Sequence, residues 1–212
     1  MPPPVPRKTR EQSRLETRQR LLASAHAAIV RDGIGSLSLR GLCDQAGFSQ
    51  GAFYSNFSSR DDLLLALMQR HVQDEVAALR RLVEASEGQA LAQMLDHLAL
   101  HLALLAKASH WSLLAAELQL HAQRDAAFAE LYNLAKLGYH REFALLVEDL
   151  VRRHGLAPVM DPLQIAVGLY GLWLGLVIQG TVPGAQTRDE ILLGFFRAVI
   201  GAPAATSAGP SA

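Results

Sequence analysis

Cysteine, alternating β-branched runs and long uninterrupted apolar segments are all scarce in this 212-residue sequence. Cys43 is the single cysteine, so no intramolecular disulfide can form, which fits a reducing compartment such as the cytoplasm. No apolar run precedes Leu21, so we expect no signal peptide. The longest apolar run, residues 165–178, contains three glycines and is shorter than a membrane span, which needs about 20 residues. We therefore expect a cytoplasmic protein without membrane contact, in which this run forms a buried helix.

The shortage of alternating β-branched runs argues against strands and favours an all-α fold. Half of the residues are apolar, enough for a packed core, and Ala, Leu, Glu, Gln and Arg dominate the sequence. Capping residues and the helical period predict about nine helices between Ser13 and Gly201. The chain also lacks a phosphate loop after a strand, a nucleophile elbow and an ordered metal cluster. We therefore expect no enzymatic activity, no cofactor and no bound metal.

The whole chain has no excess of charge of one sign, because its net charge is zero. Its two parts, however, carry opposite net charges. Residues 1–60 contain nine basic and four acidic residues, a net charge of +5, so the remainder carries −5. A basic end on an acidic body is the distribution that phosphate binding through one end requires.

Two short helices in this basic part are separated by a tight turn. The first, Leu39–Ala46, follows the capping residue Ser38 and stops at Gly47, and the second, Gln50–Asn56, follows Ser49. Apolar residues at helical spacing face a shared core: Leu42, Ala46, Phe53 and Phe57. This pattern predicts a helix-turn-helix whose second helix, free of acidic residues, can enter a major groove.

Residues 17–71 resemble the DNA-binding domain of the TetR family of transcriptional repressors. The motifs that carry the resemblance are LSLR (37–40), AGFS (46–49), GAFY (51–54), NF (56–57) and the LLL run at 63–65. The resemblance implies that four residues face base edges: Gln50, Gly51, Ala52 and Ser55. It implies that six residues contact phosphates: Thr17, Arg40, Ser49, Tyr54, Asn56 and Arg60.

The resemblance also implies an organisation and a function. We expect a disordered basic arm (1–12), a three-helix DNA-binding domain (13–60), a helical ligand-binding and dimerisation domain (61–201) and a disordered tail (202–212). The implied function is a repressor that binds a pseudopalindromic duplex operator as a homodimer and is released by a small-molecule effector. Two alternatives stay open: an activator or effector-independent regulator, and a helical oligomerisation protein that does not bind DNA.

The last two predicted helices carry the candidate dimer surface. At 100° per residue, one narrow stripe of the eighth helix holds small and amide side chains: Gln164, Gly168, Gly171, Gly175 and Gln179. One face of the ninth helix is apolar: Ile191, Leu192, Phe195, Phe196 and Val199. The resemblance implies that both helices pair with their symmetry mates in a four-helix bundle. The alternative is that both faces belong to the core of a single chain.

The resemblance places an effector cavity among the fourth to eighth helices. Candidate lining residues there are Trp111, Leu114, Leu118, His121, Phe128, Tyr132, Tyr139, Phe143, Tyr170 and Trp173. Few charges are predicted to point inward, so we expect a mainly apolar ligand, aromatic compounds included. The alternative is that most of these side chains are ordinary core.

Two sensor hypotheses have weaker support. His97 and His101, like Glu117 and His121, lie four residues apart, a spacing that could ligate zinc. The helical period, however, places His97 in solvent. Cys43 could sense redox state, although a small buried thiol in a helix is more commonly inert.

Overall fold

The computed structural model describes residues 9–107 and 109–202. The predicted tail beyond residue 202 and most of the predicted arm, residues 1–8, lie outside the described residues. Within the described ranges the regular elements are helical: α1 (Arg10–Asp32), α2 (Leu39–Ala46), α3 (Gln50–Tyr54), α4 (Arg60–Ala85), α5 (Leu91–Lys107), α6 (Ser109–Ala122), α7 (Ala126–His154), α8 (Pro162–Gln179) and α9 (Arg188–Val199), with one 3₁₀ turn, Ile34–Ser36. The all-α expectation is confirmed.

Helix α1 begins three residues earlier than its sequence pattern predicted. Thr9 caps the helix, because its Oγ1 accepts a hydrogen bond from the Gln12 backbone N–H at 3.1 Å. The Gln12 side chain in turn accepts from the Thr9 backbone N–H at 2.9 Å. This reciprocal capping box satisfies two amide groups and extends the helix into residues 10–12, which we had expected in a disordered arm.

The chain divides into two compact units, one ending at Arg70 and the other beginning at His71. We had expected the boundary ten residues earlier, at residue 60. The difference arises because the first turns of α4 carry Leu63, Leu64 and Leu67, which are 0–3% exposed and lie in the first unit.

The first unit has a core built from α1 to α4. Leu21 and Ala25 of α1 are fully buried, as are Phe53 and Phe57, whose ring centroids lie 5.6 Å apart. Leu42 and Ala46 are also buried. The core positions predicted from the helix-turn-helix spacing are therefore confirmed.

The second unit is centred on an apolar cluster to which α5, α7, α8 and the end of α9 contribute. The cluster contains Met94, Leu95, Val147, Leu150, Ile165, Phe196 and Ile200. A backbone hydrogen bond from Val159 to Val199, at 2.9 Å, ties the α7–α8 connection to the end of α9. These contacts fix α5, α7, α8 and α9 around one core.

Helix α8 is far more exposed in the single chain than we expected. Ile165 and Ala166 are its buried residues, and only 11% of the helix is buried. Among the described helices, α8 alone is long and apolar enough to cross a membrane as one continuous helix. The expected burial of this helix is therefore not provided by a single chain, and the exposed apolar surface needs another explanation.

The half-buried His26 in α1 should make stability depend on pH. Burial, with a smaller contribution from the Arg70 guanidinium, holds the pKa of His26 below its ordinary value. The unfolded chain therefore takes up a proton as the pH falls below about 6.5, while the folded chain resists it, so stability is lost on acidification. Between about pH 7.5 and about pH 5.5 we expect the Tm of the wild type to fall further than that of His26→Gln. Equal decreases in Tm would contradict this account.

Candidate nucleic-acid interface

The turn between α2 and α3 has the geometry that its glycine predicts. Gly47 adopts φ 72° and ψ 35°, in the left-handed region, where a side chain would be strained. The Phe48 backbone N–H donates to the Cys43 carbonyl at 2.9 Å, which ends α2. Ser49 then caps α3, because its Oγ accepts from the Ala52 N–H at 3.2 Å. The two helices are thus joined by only three residues.

Helix α3 presents a short polar edge to solvent. Gln50, Gly51 and Ser55 are exposed and Ala52 is half-buried, so the residues that we expected to face bases lie on an accessible surface. The Ser55 hydroxyl donates to the Ala52 carbonyl at 2.8 Å, and its oxygen accepts from the Asn56 Nδ2 at 3.3 Å. The helix ends at Tyr54, two residues earlier than predicted, since Ser55 closes its last turn.

Three arginines donate hydrogen bonds within the first unit, two of them from α1. Arg20 donates from Nη2 to the Ala46 carbonyl at 2.9 Å, at the end of α2. Arg18 donates from Nη1 to the Asn56 carbonyl at 2.7 Å, just beyond α3. Both guanidinium groups also stack on aromatic rings, Arg18 on Phe57 at 4.2 Å and Arg20 on Phe48 at 4.5 Å. Each arginine therefore satisfies a carbonyl group at a helix end and covers part of the core.

Arg60 performs the same task from the start of α4. Its Nη2 donates to the Ile34 carbonyl at 2.6 Å, and its Nε donates to the Leu37 carbonyl at 3.1 Å. These bonds fix the 3₁₀ turn that leads into α2. We had expected Arg60 to contact phosphate, but two of its three nitrogens are engaged within the domain.

The other expected phosphate contacts fall into two groups. Arg40, Ser49 and Tyr54 are exposed, with Tyr54 57% exposed. Thr17 is half-buried, and its hydroxyl donates to the Ser13 carbonyl. Asn56 is 8% exposed, and its Nδ2 donates to the Ala52 carbonyl at 2.9 Å. The expectation for Asn56 is wrong, because its amide group stabilises the end of α3 instead of facing solvent.

Sequence reasoning missed the internal role of Arg18 and Arg20. A signal was present for Arg18, which lies three and seven residues before the buried Leu21 and Ala25 and so shares their helix face. An arginine on an apolar face needs a polar partner, and carbonyl groups at the ends of short helices are the ones available.

The metal and redox hypotheses gain no support. His101 pairs with Glu75 at 3.1 Å, His97 is exposed, and the His121 ring packs on Phe128 at 4.4 Å. No group of three potential metal ligands occurs in the part of the chain that the structure describes. Cys43 is buried, and burial, with a smaller contribution from Asp44, raises the pKa of its thiol, which therefore stays protonated at neutral pH.

All ten candidate ligand-lining residues lie in the second unit. Leu114, Leu118, Phe128 and Tyr132 are buried, and the others are half-buried: Trp111, His121, Tyr139, Phe143, Tyr170 and Trp173. Ring contacts join several of them, including Phe128–Tyr132 at 5.7 Å and Tyr170–Trp173 at 5.8 Å. Sequence analysis overlooked two neighbouring titratable side chains, Lys136 and His140, which are half-buried.

The candidate dimer surface is exposed along α8 and divided along α9. All five residues of the small-residue stripe, from Gln164 to Gln179, are exposed. A Cβ atom added at Gly168, Gly171 or Gly175 would meet no atom of the described chain within 4 Å, so folding of one chain does not require these glycines. On α9, Ile191, Leu192 and Val199 are half-buried and Phe195 is 56% exposed. Phe196 belongs to the core cluster, so its assignment to the dimer surface is wrong.

Comparison with known proteins identifies the first unit independently. Residues 21–67 match the model of the N-terminal domain of bacterial regulatory proteins of the tetR family. The repressor NemR of Escherichia coli K12 is 26% identical over 203 residues, which cover 89% of this chain and 96% of NemR. A putative TetR-family regulator from Mesorhizobium loti superimposes with a TM-score of 0.67 at 19% identity, over 92% of this chain and all of that one.

A third likeness is to a ligand-bound structure, that of the TetR-family repressor FadR from Thermus thermophilus in complex with lauroyl-CoA. It has a TM-score of 0.63 at 18% identity, and covers 92% of this chain and all of FadR. Fold and helix-turn-helix together define a DNA-binding transcription regulator. Residues 21–67 therefore match the DNA-binding domain of the TetR family, and the whole chain shares the fold of TetR-family regulators.

Substitution of Arg60 should separate structural support from DNA contact. We expect Arg60→Met to lower the free energy of unfolding by about 2 kcal/mol, because it leaves two carbonyl groups without their charged donor. The exposed Arg40→Met should change that free energy by less than about 0.5 kcal/mol. Urea denaturation measures both values, and amide hydrogen exchange of Ile34–Ser36 should rise in Arg60→Met alone. Equal stability of the two variants would show that the Arg60 hydrogen bonds do not stabilise the turn.

Proposed function

We propose that this protein is a cytoplasmic repressor that binds a pseudopalindromic operator as a homodimer and is released by a small molecule. The observation that carries the proposal is the exposed edge of α3, on which Gln50, Gly51 and Ser55 stand without an acidic neighbour between residues 49 and 55. Such an edge can enter a major groove and form hydrogen bonds with base edges.

The surroundings of α3 supply the sequence-independent part of binding. Arg40, Ser49 and Tyr54 are exposed beside it and carry a cationic group and two hydroxyl groups. Arg10 and Arg14, on the exposed first turns of α1, add positive charge. Contacts of this kind bind phosphates, position the helix in the groove and make the affinity depend on salt.

A single α3 is too short to specify a genomic site, which is the argument for a dimer. Five residues of helix offer contacts to only a few base pairs. A two-fold dimer doubles the number of base pairs read, and it requires half-sites about 34 Å, or one helical turn of DNA, apart or a multiple of that distance.

The exposed face of α8 is the surface that we assign to this dimer. Its three glycines allow a second helix to approach closely, and Gln164 and Gln179 at its two ends can form hydrogen bonds at the rim. Phe195 adds an exposed aromatic side chain on α9. Pairing of α8 and α9 with their symmetry mates covers the apolar surface that would otherwise resemble a membrane helix.

Release by an effector requires a ligand that binds one conformation of the dimer better than the other. The half-buried aromatic residues of α6, α7 and α8 are the candidate site. The fold is known to hold a ligand, since the T. thermophilus FadR structure contains lauroyl-CoA. Because α4 contributes residues to both units, it is the continuous element through which a change in the second unit can reach the first.

DNA binding should depend on Arg40 and Tyr54. With a duplex selected from a random pool, we expect Arg40→Met to weaken binding and to reduce the slope of log K against log salt by about one. Tyr54→Phe should weaken binding through the loss of one hydroxyl group. Fluorescence anisotropy at several salt concentrations measures both effects, with the exposed Arg141→Met of α7 as the matched control. A wild-type protein that selects no duplex, or variants that bind like the control, would refute the proposal.

The dimer surface can be tested with two matched glycine substitutions. We expect Gly171→Leu, in the stripe on α8, to produce a folded monomer, because the new side chain meets nothing in its own chain but blocks close helix approach. Gly138→Leu, on the exposed surface of α7, should leave the dimer intact. Both variants gain helix propensity, about 0.8 kcal/mol, so loss of folding is not expected. Sedimentation equilibrium that finds the same mass for both variants would contradict this assignment.

A further inference from the structure

Five polar or titratable side chains gather where α6, α7 and α8 meet. Four of them lie on the same side of α7, because the others are three or four residues from Lys136: Tyr132, Lys136, Tyr139 and His140. The fifth is Tyr170 of α8, which packs against α7, while the Tyr132 hydroxyl donates to the Ala115 carbonyl at 3.3 Å. The His140 ring stands edge-on to Tyr170, with centroids 5.2 Å apart. We call these five side chains the tyrosine–lysine cluster.

One member of the tyrosine–lysine cluster carries a buried donor without an acceptor. The Tyr139 hydroxyl oxygen is inaccessible to solvent and has no hydrogen-bond partner among the residues that the structure describes. A buried phenol without a partner is destabilising, and such groups are rare in folded proteins. This hydroxyl therefore points to an acceptor that the chain itself does not provide.

The ammonium group of Lys136 is also incompletely matched. Its Nζ donates to the Gln119 Oε1 at 2.8 Å, a neutral partner that occupies one of three hydrogens. No carboxylate of the described residues lies within the 4.0 Å of an ion pair with it. Burial lowers the pKa of Lys136, and burial together with Lys136 lowers that of His140, so positive charge is disfavoured here without a counterion.

The same geometry argues against a cationic ligand. Lys136 Nζ lies 4.9 Å from the centroid of the Tyr132 ring and already occupies the ring face that a ligand cation would use. A second cation would face repulsion from Lys136 with no acidic side chain to balance it. An anion meets the opposite conditions, because it supplies both the missing countercharge and the missing acceptor.

We propose that the effector of this regulator is an aromatic or other apolar carboxylic acid. Its carboxylate accepts hydrogen bonds from Lys136 Nζ and from the Tyr139 hydroxyl, while its body packs among aromatic neighbours such as Phe128 and Trp173. This deepens the proposed function, on which it rests, and it adds a charged end to the mainly apolar ligand expected from sequence.

The first test compares ligands that differ only at the polar end. Calorimetry on the full-length dimer would use benzoate, cinnamate and 4-phenylbutyrate, each beside its neutral amide and the corresponding primary amine. We expect at least one carboxylate to bind 10-fold or more tightly than its amide, and the amines to bind more weakly still. If no carboxylate is preferred over its amide, or an amine binds best, the proposal is wrong.

Substitution of the lysine assigns the preference to this cluster. Lys136→Met should weaken binding of the preferred carboxylate by about 10- to 100-fold and leave binding of the amide nearly unchanged. Lys136→Arg should recover part of the carboxylate affinity. The control is Arg141→Met, an exposed cation on the same helix, which should bind like the wild type. A carboxylate preference that survives Lys136→Met would place the site elsewhere and overturn the proposal.

Tyr139→Phe gives effects of opposite sign on the free and bound protein. Without ligand, its Tm should equal or exceed that of the wild type, because a partnerless buried hydroxyl is removed. Its affinity for the carboxylate should nevertheless fall several-fold. A lower Tm without ligand would show that the hydroxyl is satisfied within the chain, which would overturn the proposal.

Binding is measured without DNA, so the two proposals fail separately. A carboxylate that binds as stated but does not release the operator would refute the effector-release part of the proposed function and leave the binding site in place. Release of the operator by a neutral or cationic compound alone would refute the carboxylic acid proposal and leave the effector-release part of the proposed function in place.

Discussion

The DNA-reading unit depends on arginine side chains that donate to backbone carbonyl groups at helix ends. Helices α2 and α3 have eight and five residues, and the last four carbonyl groups of each lack a partner within the helix. Arg20 supplies one at the end of α2, Arg18 one just beyond α3, and Arg60 two before α2. The planar guanidinium suits this task, because it donates in fixed directions and stacks on Phe48 and Phe57 at the same time.

This use of arginine changes the meaning of the positive charge in the first third of the chain. Three of its nine basic residues are engaged inside the domain, and Arg31 pairs with the adjacent Asp32 at 2.6 Å. The charge of the internal arginines still adds to the field that attracts DNA, but most of their donor capacity is committed. Arg40, by contrast, is exposed to solvent. Charge counting alone treats all nine basic residues alike, whereas the structure distinguishes those whose donors are used within the domain from those that are exposed.

Sequence patterns were sufficient where a local rule determines the structure. The limits of α2 were predicted to the residue, because Ser38 and Gly47 cap it in the standard way. The prediction was wrong where contacts distant in sequence decide. Asn56 was expected in solvent but closes α3, and Phe196 was expected at a dimer surface but packs in the core. The tyrosine–lysine cluster, likewise, arises only when α7 and α8 pack together, since residues 136 and 170 share no sequence pattern.

The order of the helices along the chain has a consequence for synthesis in the cell. A polypeptide folds from its N-terminus while it is being made, so the earlier helices can pack first. The exposed apolar face of α8, with Phe195 of α9, is synthesised after α1 to α7, which are by then able to fold. The apolar residues of this face therefore spend little time beside unfolded upstream segments, with which they could otherwise pack wrongly.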